Sequence, residues 1–132
     1  MADDGYSLTK WRYHELRGLC RQYRDMLHEA ITLEGKIKKY GDGEPESAGS
    51  SDKMYEVRQK ATHLRKELSR IEAAAKAPEE GAWFDAIIKS CCDGIRYEEI
   101  DQAIMPTSNR NAFFRARRQF FWELSQREYA NL

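Results

Sequence analysis

Residues 108–124 read SNRNAFFRARRQFFWEL, four arginines and two asparagines set among four phenylalanines and a tryptophan. Arginine and asparagine make paired hydrogen bonds to guanine and adenine edges, so the chemistry this segment suggests is nucleic-acid recognition. Placed on a helix at 100° per residue, the mixture separates into faces. Phe113, Ala116, Phe120, Phe121 and Leu124 share one arc, the predicted core face, and Phe114 borders it. The opposite side carries Asn111, Arg115, Arg118 and Trp122, with Gln119 beside them. Asn109, Arg110, Asn111 and Arg115 fall in the first turns, the part of a recognition helix that enters a major groove. Arg117 and Arg118 lie further along, where phosphate contact is expected. Trp122 is expected either to pack on the coiled coil or to anchor a contact with a protein partner such as a second copy, since aromatic side chains of this kind are common anchors.

The surroundings carry the opposite charge. Residues 82–105 hold Asp85, Asp93, Glu98, Glu99 and Asp101 against Lys89 and Arg96. Glu98, Glu99 and Asp101 could imitate phosphates towards a protein partner. Catalytic chemistry is not expected. His14 and His28 stand two heptads apart, about 21 Å along one helix, and cannot share a metal; His63 is alone. Glu98 and Glu99 are neighbours that point about 100° apart, which disqualifies them as an acid–base pair. The GDGEP stretch has no preceding strand and no following Gly-Lys-Ser/Thr, so it is no phosphate loop. Cys20, Cys91 and Cys92 are odd in number, and the adjacent pair lacks zinc-ligand spacing; reduced, partly buried thiols are predicted. No cofactor, metal or catalytic residue is predicted.

The elements that must position this helix are themselves helical. Leu16, Leu19, Tyr23, Met26, Ala30, Leu33, Ile37 and Tyr40 alternate three and four apart, a heptad seam on one helix spanning 8–40 with Ser7 as its cap. Met54, Val57, Ala61, Leu64, Leu68, Ile71 and Ala75 repeat the pattern over 53–76. The glycine- and serine-rich stretch 41–52 is read as a mobile loop, which lets the two seams close as an antiparallel hairpin. Each seam is narrow and an isolated two-helix hairpin is marginal, so self-association into a homodimer, or packing on the C-terminal part, is expected. Pro78 and Gly81 end the second helix. Three shorter helices follow, at 82–92, 97–104 and 109–129, the first stopped by Gly94, the second by Pro106, the third capped by Ser108. The expected fold is all-α: a helical hairpin over 1–77, then a three-helix, helix-turn-helix-like unit over 82–132.

Composition narrows the class. The chain has 132 residues, a third of them charged, with 22 basic and 22 acidic side chains. A neutral total means that any electrostatic function comes from uneven distribution. There is no apolar run long enough for a membrane span and no signal-peptide pattern at the start, so a cytoplasmic protein is expected.

The segments KWRYHELRGLCRQY, KMYEVRQKATHLRKELSRIE and IRYEEI…SNRNAFFRARRQFFWEL together resemble the late-gene transcription regulators of the ArpU/RinA type, from phages and prophages of Gram-positive bacteria. That resemblance lies in organisation and spacing. It implies a coiled coil joined to a helix-turn-helix like sigma-factor region 4, with Tyr97 and Ile100 on the supporting helix and Ser108 to Arg118 on the recognition helix. The proline in the turn and the acidic residues before it depart from the pattern. The implied function is a DNA-binding transcription regulator acting on duplex DNA. Two other functions fit the same features: an inhibitor of a host protein, such as a CRISPR nuclease, and a small terminase-like packaging component.

Overall fold

The structure is a computed structural model that describes residues 5–40 and 48–130, with side chains over 5–40 and 53–127. Among the described residues there is no strand, and the fold is all-α. No helix among them is long and apolar enough to cross a membrane.

The predicted first helix is two. Helix α1 covers Lys10–Arg21 and α2 covers Tyr23–Tyr40. Between them the N–H of Gln22 bonds to the carbonyl of Leu19, three residues back at 3.0 Å, so the turn tightens and the regular ladder is interrupted. Thr9, not Ser7, caps α1. Its Oγ1 accepts the N–H of Arg12 at 3.1 Å, meeting one of the donors that a helix start leaves open. Helix α3 covers Ala48–Ala75, so the helical backbone begins five residues before the predicted start. The rest of the predicted loop, 41–47, lies outside the described residues.

The chain divides into two compact units. One comprises 24–69, the other 1–23 together with 70–132. This differs from a division at 77–82, because α1 packs against the segment after Ala82 and against the last helix. Leu16 of the predicted hairpin seam is therefore part of the larger unit's core, as are Cys20, Tyr23 and Ile71.

Within the 24–69 unit the two seams are buried over most of their length, while Tyr40 at the end of the first is exposed. Met26, Ala30, Leu33, Ala61, Leu64 and Leu68 are inside, and Ile37 and Val57 are half-buried. Two ion pairs flank them. Lys60 meets Glu29, both at heptad position g, and Arg65 grips Glu34 with two bonds of 2.6 and 2.7 Å, both at position e. Like-lettered flanks face each other when the two helices of a coiled coil run in opposite directions.

The larger unit is held by α1, the last helix and what lies between. After α3 the chain reverses through a 3₁₀ turn, Pro78–Gly81, in which Glu79, Glu80 and Gly81 all have left-handed backbone, at φ 46°, 55° and 92°. Glu79 accepts the indole N–H of buried Trp83 at 2.7 Å, which fixes the exit of the turn. Helix α4, Phe84–Ile87, continues as one π-helical turn, Ile88–Cys92, and Gly94 at φ 72° ends it. The π-turn places both Cys91 and Cys92 inside.

The predicted helix 97–104 is not formed. Two single 3₁₀ turns, Tyr97–Glu99 and Gln102–Ile104, flank extended Ile100. The reason is local: the carboxylate of Asp101 accepts the N–H of Ala103 at 2.9 Å and starts a new turn instead of continuing the old one. Extended backbone at Ile100 also turns its side chain into the core. The described residues therefore lack the supporting helix of a helix-turn-helix. Helix α5, Arg110–Ala130, follows. Its cap is Asn109, not Ser108: Asn109 Oδ1 accepts the N–H groups of Asn111 and Ala112 at 2.9 and 3.3 Å. Ser108 instead offers its carbonyl to the hydroxyl of Tyr97 at 3.0 Å.

Candidate nucleic-acid interface

Helix α5 presents its faces as its periodicity predicts. Phe113, Ala116, Phe120, Phe121 and Leu124 are all buried. Phe113 meets Trp83 and Tyr97, and Phe121 meets Tyr13 of α1 edge-on at 5.0 Å. These contacts fix the rotation of α5 and so decide which side chains remain outside.

The predicted nucleic-acid residues then separate into outward and inward groups. Asn111, Arg115 and Arg118 are exposed, and Arg115 meets no carboxylate among the described residues. Asn109 is spent on the cap. Gln119 is half-buried. Arg117 turns inward: it is half-buried, and its guanidinium lies 5.5 Å over the Phe121 ring, near Cys91 and Tyr13. Burial opposes its charge, but the thiol of Cys91 and the hydroxyl of Tyr13 hold it, and its pKa ends above the usual arginine value. Its Nε has no partner. Arg117 is thus a packing and bridging residue. Trp122 is half-buried and stacks on Tyr6 at 5.6 Å, so its first partner is within the chain.

Arg110 is outside but engaged. It lies 5.3 and 5.2 Å over the rings of Tyr97 and Phe114, and it pairs with Glu98 at 2.9 Å. A hydrogen bond from its own backbone N–H and the Arg110 guanidinium hold the Glu98 carboxyl below the usual carboxylate range. Arg96 pairs with Glu99 at 3.2 Å. The acidic residues expected to imitate phosphates are accordingly occupied: Glu98 and Glu99 by arginines, Asp101 by a backbone N–H.

Arg17 and Arg21 of α1 are the residues that sequence reasoning missed. They line one recess with Arg96, Arg110 and Arg117, a volume of about 280 Å³. Neither Arg17 nor Arg21 meets a carboxylate among the described residues. The signal was the i, i+4, i+8 spacing of Tyr13, Arg17 and Arg21, which puts all three on one face of α1. What the spacing alone could not show is that this face borders α5.

No family model, curated protein or solved structure matches the chain. Among the described residues no group of histidine, cysteine and carboxylate side chains could hold a metal ion. The three cysteines are free and buried. A hydrogen bond with Cys92 and burial push the Cys20 thiol up, and burial pushes Cys91 up to about 11. Thiols held protonated in this way are poor nucleophiles and poor metal ligands.

Proposed function

We propose that this chain binds duplex DNA through the exposed face of α5 and, as its resemblance to phage late-gene regulators implies, acts in phage or prophage transcription. One observation carries the reading. Asn111 and Arg115 stand exposed on the first turns of a capped helix, and Arg118 stands exposed about one turn further along the same face. A phosphate contact from Arg118 supplies affinity, and Asn111 with Arg115 can supply base contacts. The missing supporting helix means that α5 is braced by α1, through Tyr13 and Phe121, and by the 3₁₀ turns before it. The heptad seams are consumed within the chain, so a homodimer would use other surfaces, for which exposed Trp11 is a candidate at 80% exposure.

The test is duplex binding by purified protein at several salt concentrations, with Arg115→Ala plus Arg118→Ala as the variant. Loss of the Arg118 phosphate contact lowers the slope of log affinity against log salt by about 0.9, and loss of the Arg115 base contact weakens binding at every salt concentration. Binding that is absent at moderate salt, or unchanged in the variant, refutes the proposal. A stoichiometric host protein retained from nuclease-treated lysate would favour the inhibitor reading instead.

A further inference from the structure

Two recesses adjoin along the seam between α1 and α5. The first, about 280 Å³, is the arginine-lined one described above. The second, about 310 Å³, is lined by Tyr6, Tyr13, Phe114, Arg118 and Phe121, with Arg117 and Phe114 common to both. Tyr13, Arg17 and Arg21 therefore form one wall, and Phe121, Arg118, Phe114 and Arg110 the other. Tyr6, Tyr13 and Phe114 are each half-exposed. The Arg17 guanidinium lies 5.8 Å over the Tyr13 ring. Cations beside part-open rings, along about 12 Å of α1 from Tyr13 to Arg21 at 1.5 Å per residue, match the chemistry of a nucleotide strand: charge on the backbone, flat faces on the bases.

The shape selects the kind of nucleic acid. Recesses of about 280 and 310 Å³ have room for a phosphate or an unpaired base, whereas the bases of a duplex are paired and stacked on one another and cannot lay a face against Tyr6, Tyr13 or Phe114. A single strand can enter. We propose that the α1–α5 groove binds a single-stranded stretch of nucleic acid, with phosphates against Arg17, Arg21 and Arg110 and a base against Tyr6, Tyr13 and Phe114. This rests on the nucleic-acid reading above and adds a second mode to it: α5 meets the duplex with Asn111 and Arg115, and the groove takes an unpaired segment.

The experiment is fluorescence anisotropy with the full chain, using a labelled oligothymidylate of about 12 nucleotides, within the usual span of a single-strand site, and a duplex of equal length. The oligothymidylate is expected to bind. Arg17→Ala plus Arg21→Ala weakens it by at least about ten-fold and lowers its salt slope by about 1.4, and leaves duplex binding through Asn111 and Arg115 in place. Tyr6→Ala weakens it by at least about five-fold, the lower end of one lost stacking contact, and Tyr6→Phe restores it. Arg17→Lys plus Arg21→Lys keeps the charge and most of the binding, which separates loss of contact from loss of fold. Duplex binding without oligothymidylate binding overturns this proposal and leaves the duplex reading standing; absence of both overturns both. Competition by polyglutamate as effective as by unlabelled oligothymidylate also overturns it, because polyglutamate has charge and no bases.

Discussion

Replacing Glu98 by glutamine removes the carboxylate that sits 2.9 Å from Arg110 at the mouth of the arginine recess. In the wild-type chain a phosphate must displace that carboxylate before it can reach the guanidinium. Glutamine keeps the size and takes away the charge, so one more arginine becomes available to a polyanion. Each phosphate contact adds about 0.7 to the slope of log affinity against log salt on a single strand. Over a rise from about 50 to 200 mM salt, the loss of affinity should therefore be about 2.6-fold larger for Glu98→Gln than for wild type, with the variant binding more tightly at the low-salt end. Anisotropy titrations of one oligothymidylate across that range read both quantities. Acid should act in the same direction. Because Glu98 is held below the usual carboxylate range, wild-type binding should strengthen only as pH falls under that range, and the variant should lack this component. Equal slopes and equal low-salt affinity for the two proteins would show that Arg110 does not meet phosphate, and would remove the recess from the interface.

Three further outcomes are expected. In the turn after α3, Glu80→Gly should stabilise by about 1 kcal/mol by relieving a left-handed non-glycine residue, whereas Gly81→Ala at φ 92° should destabilise by about 1–2 kcal/mol; opposite shifts in thermal midpoint check both. Native protein should react slowly with a thiol reagent, since Cys91 near 11 carries at mildly basic pH roughly a hundredth of the thiolate of an ordinary cysteine, and all three thiols should react at once in denaturant. Glu34→Gln should cost less than about 1 kcal/mol, because the pair with Arg65 is substantially exposed. Arg65 holds the Glu34 carboxyl below its usual value, so this stability is present above the ordinary carboxylate range and is lost as pH falls through the lowered value; urea titrations of both proteins at several pH values should converge in acid.

The periodic features were legible from the residues alone. The apolar arc of α5 and the two heptad seams follow from spacings of three and four, and burial of Phe120, Leu124, Leu68 and Met26 agrees with them. The site was legible only in part. Arg115 and Arg118 could be placed outside because the wheel leaves them there, but Arg117, one position away, is drawn inward by Cys91 and Tyr13, residues 26 and 104 positions earlier in the chain. The same distance in sequence hid Arg17 and Arg21. The residues YEEIDQAI looked helical because their propensities are compatible with a helix; the carboxylate of Asp101 decides otherwise by capturing the N–H two residues on. Caps were displaced by one or two positions for a related reason. Several neighbouring side chains could accept the open N–H groups, and only the entry direction of the chain selects Thr9 over Ser7 and Asn109 over Ser108.

The larger unit is assembled from two pieces of chain, 1–23 and 70–132, with the helical pair between them in sequence. Synthesis makes α1 first, yet Tyr13 must find Phe121, which follows more than a hundred residues later. At about 5–20 residues per second, the apolar side of α1 waits roughly 5–20 s on the ribosome for its partners. The 24–69 pair, whose contacts are local, can close during that interval and draw the early segment back towards the late one. On this account the inserted pair is a folding scaffold, and shortening it should slow assembly of the arginine groove more than it lowers the groove's final stability.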